Sequence, residues 1–426
     1  MTDLMGSTWE KIGANTSPEM DLGNDVVFPA YDGLSLLNIP ASLARWLGAS
    51  PLPHPALALP ALDDMANGVD QILIILVDGL GFDPFRSWIN DTAAPFQPLV
   101  ERGLLVPLTS VVPSTTSAAL TTLWTGRSPI EHGILGYELF LKEYGLVANM
   151  ITHDPVSIDH GGGLLYQAGM DPTHFLPMPT LGQHLKPSGV ESHAFLHSSI
   201  VQSGLSRMHY QDAHRHTFTS LADLWISVRQ LLSSPLQGKR LVWVYYGGLD
   251  HASHRFGPSS EQARLDFALL AQSFQAGLLQ GRPQKDLPKT LMLLLSDHGQ
   301  IASTPDPHFD LNQHPDFIRR LVLPPTGESR LAYLYPRPGQ ASAVDEYIQR
   351  TWPNQFTSLP ASYLAEKGLF GPGPAHPMAA FRLGDRTVVS HEQAYLWWPA
   401  RENTMLGRHG GLSEPEMLVP FLAALI

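Results

Sequence analysis

Cysteine is absent from the 426 residues. Disulfides, thiolate metal sites and cysteine nucleophiles are therefore excluded. Any metal must be held by His, Asp or Glu, and the chain has 19 histidines to draw on. Positive charge is scarce: 27 Lys and Arg stand against 39 Asp and Glu, a formal net charge of -12. No basic run marks a nucleic-acid surface, so no stable nucleic-acid binding is expected. A net-negative protein still binds phosphate when metal ions neutralise its site locally. Long apolar runs are missing too. The most apolar one, Ile72 to Val77, is far too short to cross a bilayer. The N-terminal stretch MTDLMGSTWEKIGANTSPEMD has no basic segment leading into an apolar one. No signal peptide is read, and the expected location is cytoplasmic with no membrane partner.

What is present is an ordinary globular composition, 43% hydrophobic and 15% charged. That argues for a large core rather than a disordered scaffold. Short apolar runs recur at wide intervals: Ile72–Val77, Leu104–Val112, Leu241–Tyr246, Leu291–Leu295 and Leu331–Tyr335. Such runs suit strands of a sheet covered on both faces by helices. Between them lie helical patterns. The clearest is Ser259 to Gln280, with Ala263, Phe267, Leu270, Phe274 and Leu278 on one face and a capping box from Ser259 and Gln262. Alternating strands and helices place the chain in the α/β class. Residues 140–219 read differently. They are rich in Gly, Pro, His and Ser, include Gly161-Gly162-Gly163, and are expected to be a cap-like insertion over the site. Residues 1–25 are expected to be a loosely held arm, leaving 26–426 as one catalytic domain.

Three apolar runs end in acidic residues. QILIILVDGLGFD ends in Asp78, followed by Gly79. TLMLLLSDHGQ ends in Asp297, with His298 and Gly299 after it. LVWVYYGGLDHASHRFGP leads to Asp250, His251 and His254. The carboxyl ends of strands are where α/β proteins bind ligands. Asp and His are both suitable ligands of a divalent metal. Asp250 and His254 are four apart and would share a helix face. They are preferred as a pair, with His251 behind them or in the cleft. A fourth piece, GRHGGLSEPEM, puts His409 before two glycines, where a His can approach a metal closely. On spacing alone His314 and His391 compete with it. The last piece, VVPSTTSAALTTLWTGRSPIEHGILGY, sets Ser114, Thr115 and Thr116 just before a predicted helix at Ser117 to Trp124. A hydroxyl there meets a helix N-terminus, which favours phosphate. Each piece also has a plain structural reading. The Asp and hydroxyl residues can serve as helix caps, and the histidines as loop residues.

Together the pieces resemble the alkaline phosphatase superfamily, in its nucleotide pyrophosphatase/type I phosphodiesterase branch. The motifs agree in type and order from Asp78 to His409: a strand-end Asp, a hydroxyl before TG…P..HG, D-x-x-x-H, D-H-G and a late H-G-G. The resemblance implies a three-layer α/β/α sandwich with a mostly parallel central sheet and a partial cap. It implies two Zn²⁺, with Mn²⁺ as a substitute. Asp250, His254 and His409 would hold one ion, and Asp78, Asp297 and His298 the other. Thr116 is implied as the nucleophile because it stands ten residues before Gly126 of the T-G pair. The implied reaction is hydrolysis of a phosphoric diester or diphosphate in a small substrate, through a phospho-threonine intermediate. A backbone N–H at Thr116 or Ser117 would steady a non-bridging oxygen. The alternatives are a phosphomonoesterase or phosphonate hydrolase with the same ions, and, in another class, a non-catalytic metal-binding regulatory protein.

Two departures stand out. Tyr137 takes the place of the Asn that follows the H-G pair in well-known members. The T-F-P-N run is replaced by Thr116-Ser117-Ala118-Ala119. Similar P-S-T-T runs occur in bacterial alkaline phosphatase family proteins. The C/S-x-P-x-R motif of the sulfatase branch is absent. The pocket wall is expected within 140–219. Tyr166 and Phe175 are its candidate stacking residues, with Tyr246 beside them, each having core packing as the competing role.

Overall fold

The computed structural model describes residues 2–92, 94–158, 163–281 and 287–426. Its main sheet has seven strands: β1 (Gln71–Val77), β2 (Leu104–Thr109), β3 (Val190–His197), β4 (His214–Phe218), β5 (Lys239–Tyr246), β6 (Thr290–Leu295) and β7 (Leu418–Leu425). They lie in the order β2-β7-β6-β1-β5-β3-β4. The β6-β1-β5-β3-β4 pairs are parallel, and β7 runs antiparallel to both of its neighbours. β1 is central and every residue of it is buried. Alternation sends Ile72, Ile74 and Leu76 into one core and Leu73, Ile75 and Val77 into another. Helices cover both cores, which makes the three-layer sandwich.

The parallel register sets the site. Leu76 pairs with Tyr245 of β5 and with Leu295 of β6. The three strands therefore end at the same level, and whatever follows them converges on one edge. Leu331–Leu334, the fifth apolar run, is not in this sheet. It belongs to a second seven-stranded sheet, antiparallel throughout, which joins strands at 138–141, 146–149 and 154–155 to others between 326 and 390.

Three expectations need correction. Residues 140–219 are not one inserted cap, because β3 and β4 fall inside that range and complete the main sheet. The cap side is built instead from 138–155 together with 326–390. Of the Gly161-Gly162-Gly163 turn, only Gly163 lies within the described residues. The first residues are not a loose arm. Thr2–Ala14 forms helix α1, with Thr8 and Ile12 buried and Trp9 packed on Phe82 at 5.8 Å. The cap of the long helix (Glu261–Phe274) is Ser260, not Ser259: its hydroxyl accepts from Ala263 N. Among the described residues no helix is long and apolar enough to cross a membrane.

Candidate active site

The segments that follow β1, β5 and β6 meet at one edge of the main sheet. Asp78 directly follows β1, with its N–H donating to Tyr246 O of β5 at 2.9 Å. Gly79 follows at φ +74°, and any side chain there would meet Asp250 at 3.1 Å. Glycine is thus required both for the turn and for the approach of the second strand end. Asp250 and His254 sit on helix α2 (Gly248–Phe256), with His254 Nε2 3.3 Å from Asp250 Oδ1. Asp297 and His298 leave β6. His298 Nε2 lies 3.3 Å from Asp78 Oδ1 and 3.6 Å from Asp297 Oδ2. His409 Nε2 lies 4.0 Å from Asp250 Oδ1, and its ring stacks on His298 at 3.7 Å. The competitors are elsewhere: His314 bonds Tyr347 and His391 bonds Asp25 and Thr357.

The three imidazoles are oriented alike. Nδ1 of His254 contacts Gly407 O at 2.9 Å, that of His298 contacts Gly299 O at 3.0 Å, and that of His409 contacts Ser114 O at 3.1 Å. A carbonyl can only accept, so each Nδ1 carries a proton and each Nε2 is the ring nitrogen turned to the centre. Burial, followed by the nearby His298 and His254, holds His409 well below the usual imidazole range, so it is neutral. The carboxylates show the opposite strain. Burial pushes Asp78 well above its ordinary range, and the charges of Asp297 and Asp250 push it further. Asp297 is raised as well, mainly by burial. Asp297 Oδ2 is buried and, among the described residues, has no hydrogen-bond partner. Nε2 atoms turned inward, crowded carboxylates and an orphaned oxygen fit divalent cations. Asp78, Asp297 and His298 offer donor atoms within 4.8 Å of one another, and so do Asp250, His298 and His409. His254 adds a further donor beside Asp250.

Supporting contacts fix these ligands. Tyr245 OH donates to Asp78 Oδ2. Gln300 Nε2 donates to Asp250 Oδ1 at 2.5 Å. The His409 loop is tied by a buried ion pair in which Arg330 grips both oxygens of Glu416 at 2.8 and 2.9 Å, while Glu416 also accepts from Gly411 N. Removing one partner of such a buried pair is costly, on the order of 3–5 kcal/mol.

Thr116 is the first residue of helix Thr116–Thr125, one residue earlier than predicted, and Thr115 occupies the cap position. Thr116 Oγ1 lies 3.1 Å from His298 Nε2 and 3.4 and 3.5 Å from the Asp78 oxygens. Ser114 and Thr115 are engaged elsewhere: Ser114 Oγ donates to Gly411 O, and Thr115 Oγ1 donates to Glu328 Oε1. Of the three hydroxyls, Thr116 is the one that faces the ligand cluster.

A cleft of about 510 Å³ opens over these groups. Its wall is not the one expected. Trp397, Trp398, Arg401 and Met405 line it, as do Tyr137, Glu138 and Glu328, and among the described residues of 140–219 only Ile151 contributes. Tyr166 packs near His153, Phe175 lies under Arg382, and Tyr246 bonds Asp266, so none of the three borders the cleft. His251 does line it. Glu328 is the residue that the motifs missed. It is 8% exposed, and burial pushes its carboxyl up to about 8.

Comparison with known proteins agrees with this geometry. The family model described as Type I phosphodiesterase / nucleotide pyrophosphatase matches residues 72–412. No curated protein sequence matches the chain. Among solved structures, murine ectonucleotide pyrophosphatase / phosphodiesterase 5 superposes with a TM-score of 0.63 at 17% identity, over 83% of this chain and 87% of that one. An inactive variant of that protein, with one threonine changed to alanine, is in complex with AMP. Phosphonoacetate hydrolase from Sinorhizobium meliloti 1021, in complex with phosphonoformate, superposes with a TM-score of 0.60 at 16% identity, over 84% and 90% of the two chains.

Proposed function

The chain belongs to the Type I phosphodiesterase / nucleotide pyrophosphatase family, and we propose that it hydrolyses phosphoric diester or diphosphate bonds of small substrates by attack of Thr116. The observation that carries this reading is the position of Thr116 Oγ1, 3.1 Å from His298 Nε2 and within 3.5 Å of both Asp78 oxygens. Asp78, Asp297 and His298 would hold one ion, and Asp250, His254 and His409 the other. An all-His and carboxylate set suits Zn²⁺ and admits Mn²⁺. Bound ions would lower the pKa of the hydroxyl and neutralise charge on the leaving oxygen.

The residues of the chain then divide the work. The deprotonated Thr116 oxygen forms a bond to phosphorus as the bond to the leaving oxygen breaks, and solvent protonates the departing group. A water molecule then attacks phosphorus and releases Thr116. The family likeness and the inactive threonine variant of the murine relative support a phospho-threonine intermediate. The N-terminus of the Thr116–Thr125 helix supplies free backbone N–H groups for a non-bridging oxygen. Trp397 and Trp398 offer apolar surface to the leaving group.

The test is direct. An aryl phosphodiester, an aryl monoester and a phosphonate are assayed with wild type, with Thr116→Ala and after chelation. Diester turnover should be fastest. It should fall on the order of 10³-fold or more in Thr116→Ala, and vanish with chelator until Zn²⁺ or Mn²⁺ returns. Wild-type turnover in Thr116→Ala would remove the proposed nucleophile. Far faster monoester turnover would replace the diesterase reading.

A further inference from the structure

The cleft contains a carboxyl group that neither metal position uses. Glu328 Oε1 accepts both Thr115 Oγ1 at 2.5 Å and Tyr137 N at 3.0 Å. Its Cβ and Cγ lie where a side chain on Gly410 would have to go, at 2.5 and 2.6 Å. Glu328 therefore touches three segments at once: the residue before the nucleophile, the residue standing where relatives carry Asn, and the turn after His409. Both hydrogen bonds go to Oε1. Among the described residues Oε2 has no hydrogen-bond partner, and Glu328 lines the same cleft as Thr116, Asp78 and His409. Among the described residues no basic side chain makes an ion pair with it. A tie between Thr115 and Tyr137 alone needs only a neutral acceptor, which Gln would provide without a buried acid. The acid is retained at a desolvation cost, beside the place where phosphorus must sit.

We propose that Glu328 is a specificity residue, selecting phosphoryl groups of single negative charge (diesters) and disfavouring doubly charged monoesters. This rests on the reading of Thr116 as nucleophile, which places phosphorus next to Thr115. The physical basis is the sign of the interaction. A neutral carboxyl donates its Oε2–H to a non-bridging oxygen, and an ionised one repels the substrate. The repulsion is larger for a dianion than for a monoanion, and it is strong because the group is removed from water. Electrostatic reach across the site is evident, since Asp250 adds to the upward push on this carboxyl.

The experiment compares kcat/KM at about pH 9, where the Glu328 carboxyl is ionised, for an aryl methyl phosphodiester and the matching aryl phosphomonoester in wild type and Glu328→Gln. The amide still accepts from Thr115 and Tyr137. The monoester-to-diester ratio should rise on the order of tenfold or more. An unchanged ratio in folded Glu328→Gln overturns the proposal and leaves Glu328 a structural tie. Thr115→Val cuts one arm of that tie and keeps the charge, so it should affect both substrates alike. If Glu328→Gln does not fold, the wild-type ratio is followed with pH, corrected for the monoester's own second ionisation. It should fall through about pH 8, and a flat ratio overturns the proposal. Failure of the underlying reading looks different: Thr116→Ala would retain activity on both esters.

Discussion

Two seven-stranded sheets meet over the cleft, and they are built on different rules. The main sheet is mostly parallel and buried on both faces, so every residue of β1 is buried and its sequence, QILIILV, is almost wholly apolar. The segments after its strands contribute Asp78, Asp250 and Asp297, groups that would hold metal on the two-ion reading. The second sheet is antiparallel with short strands, and Glu138–Leu141 alternates between partly and fully buried residues. It contributes Glu138 and Glu328, groups that line the cleft. Strand ends of a rigid parallel sheet suit chemistry that must not move. The antiparallel sheet, joined to loops such as 396–405, suits recognition, which can vary without disturbing the ions.

Breaking the main-sheet side should therefore abolish turnover, and breaking the other side should redirect it. The largest effect is expected for Asp297→Ala. It should lose at least one bound ion by elemental analysis and reduce kcat/KM on the order of 10³-fold, about 4 kcal/mol of barrier. Normal metal content in that variant would contradict the division of labour. Next comes Trp398→Ala. Trp398 Nε1 donates to Glu138 Oε2 at 2.9 Å, so the ring is fixed against the second sheet. KM for an aryl diester should rise roughly tenfold with kcat nearly unchanged. An equal fall in kcat would show that this wall shapes the transition state too. The smallest effect concerns stability. The Glu328 carboxyl titrates near 8 in the folded chain against an ordinary 4.5. Its contribution is fully present below the unfolded value and is lost as pH rises through about 8. Glu328→Gln should thus gain stability over wild type between pH 6 and 9, by roughly 2 °C in Tm. Parallel melting curves across that range would mean the buried charge is already compensated.

The same contrast explains what could be read from the residues alone. Central strands announce themselves through continuous apolar runs, and their ends mark the ligands Asp78, Asp250 and Asp297. β3 and β4 did not: HRHTF is the edge strand, VESHAFLH lies next to it, and both carry polar residues such as His193 and His216. Their polarity made 140–219 look like an insertion. Helix α1 escaped notice although Leu4, Thr8 and Ile12 recur every four residues along it. Glu328 was harder still. It stands between Gly327 and Ser329 with no local pattern, and its burial comes from pairing across the chain, Gly327 with Glu138. The wall at 396–405 is likewise brought to the site by long-range contacts, not by any motif of its own.

The stacked pair of His298 and His409 has one more consequence. His298 Nε2 lies within donor range of both ligand groups, yet one lone pair serves one ion at a time. On the two-ion reading, the first ion to recruit His298 fixes the donor set left for the second. His254 is then the imidazole that completes the Asp250 and His409 position. Loading becomes an ordered affair: a single ring acts as the sorter, and half-filled protein is a distinct species rather than an average of empty and full.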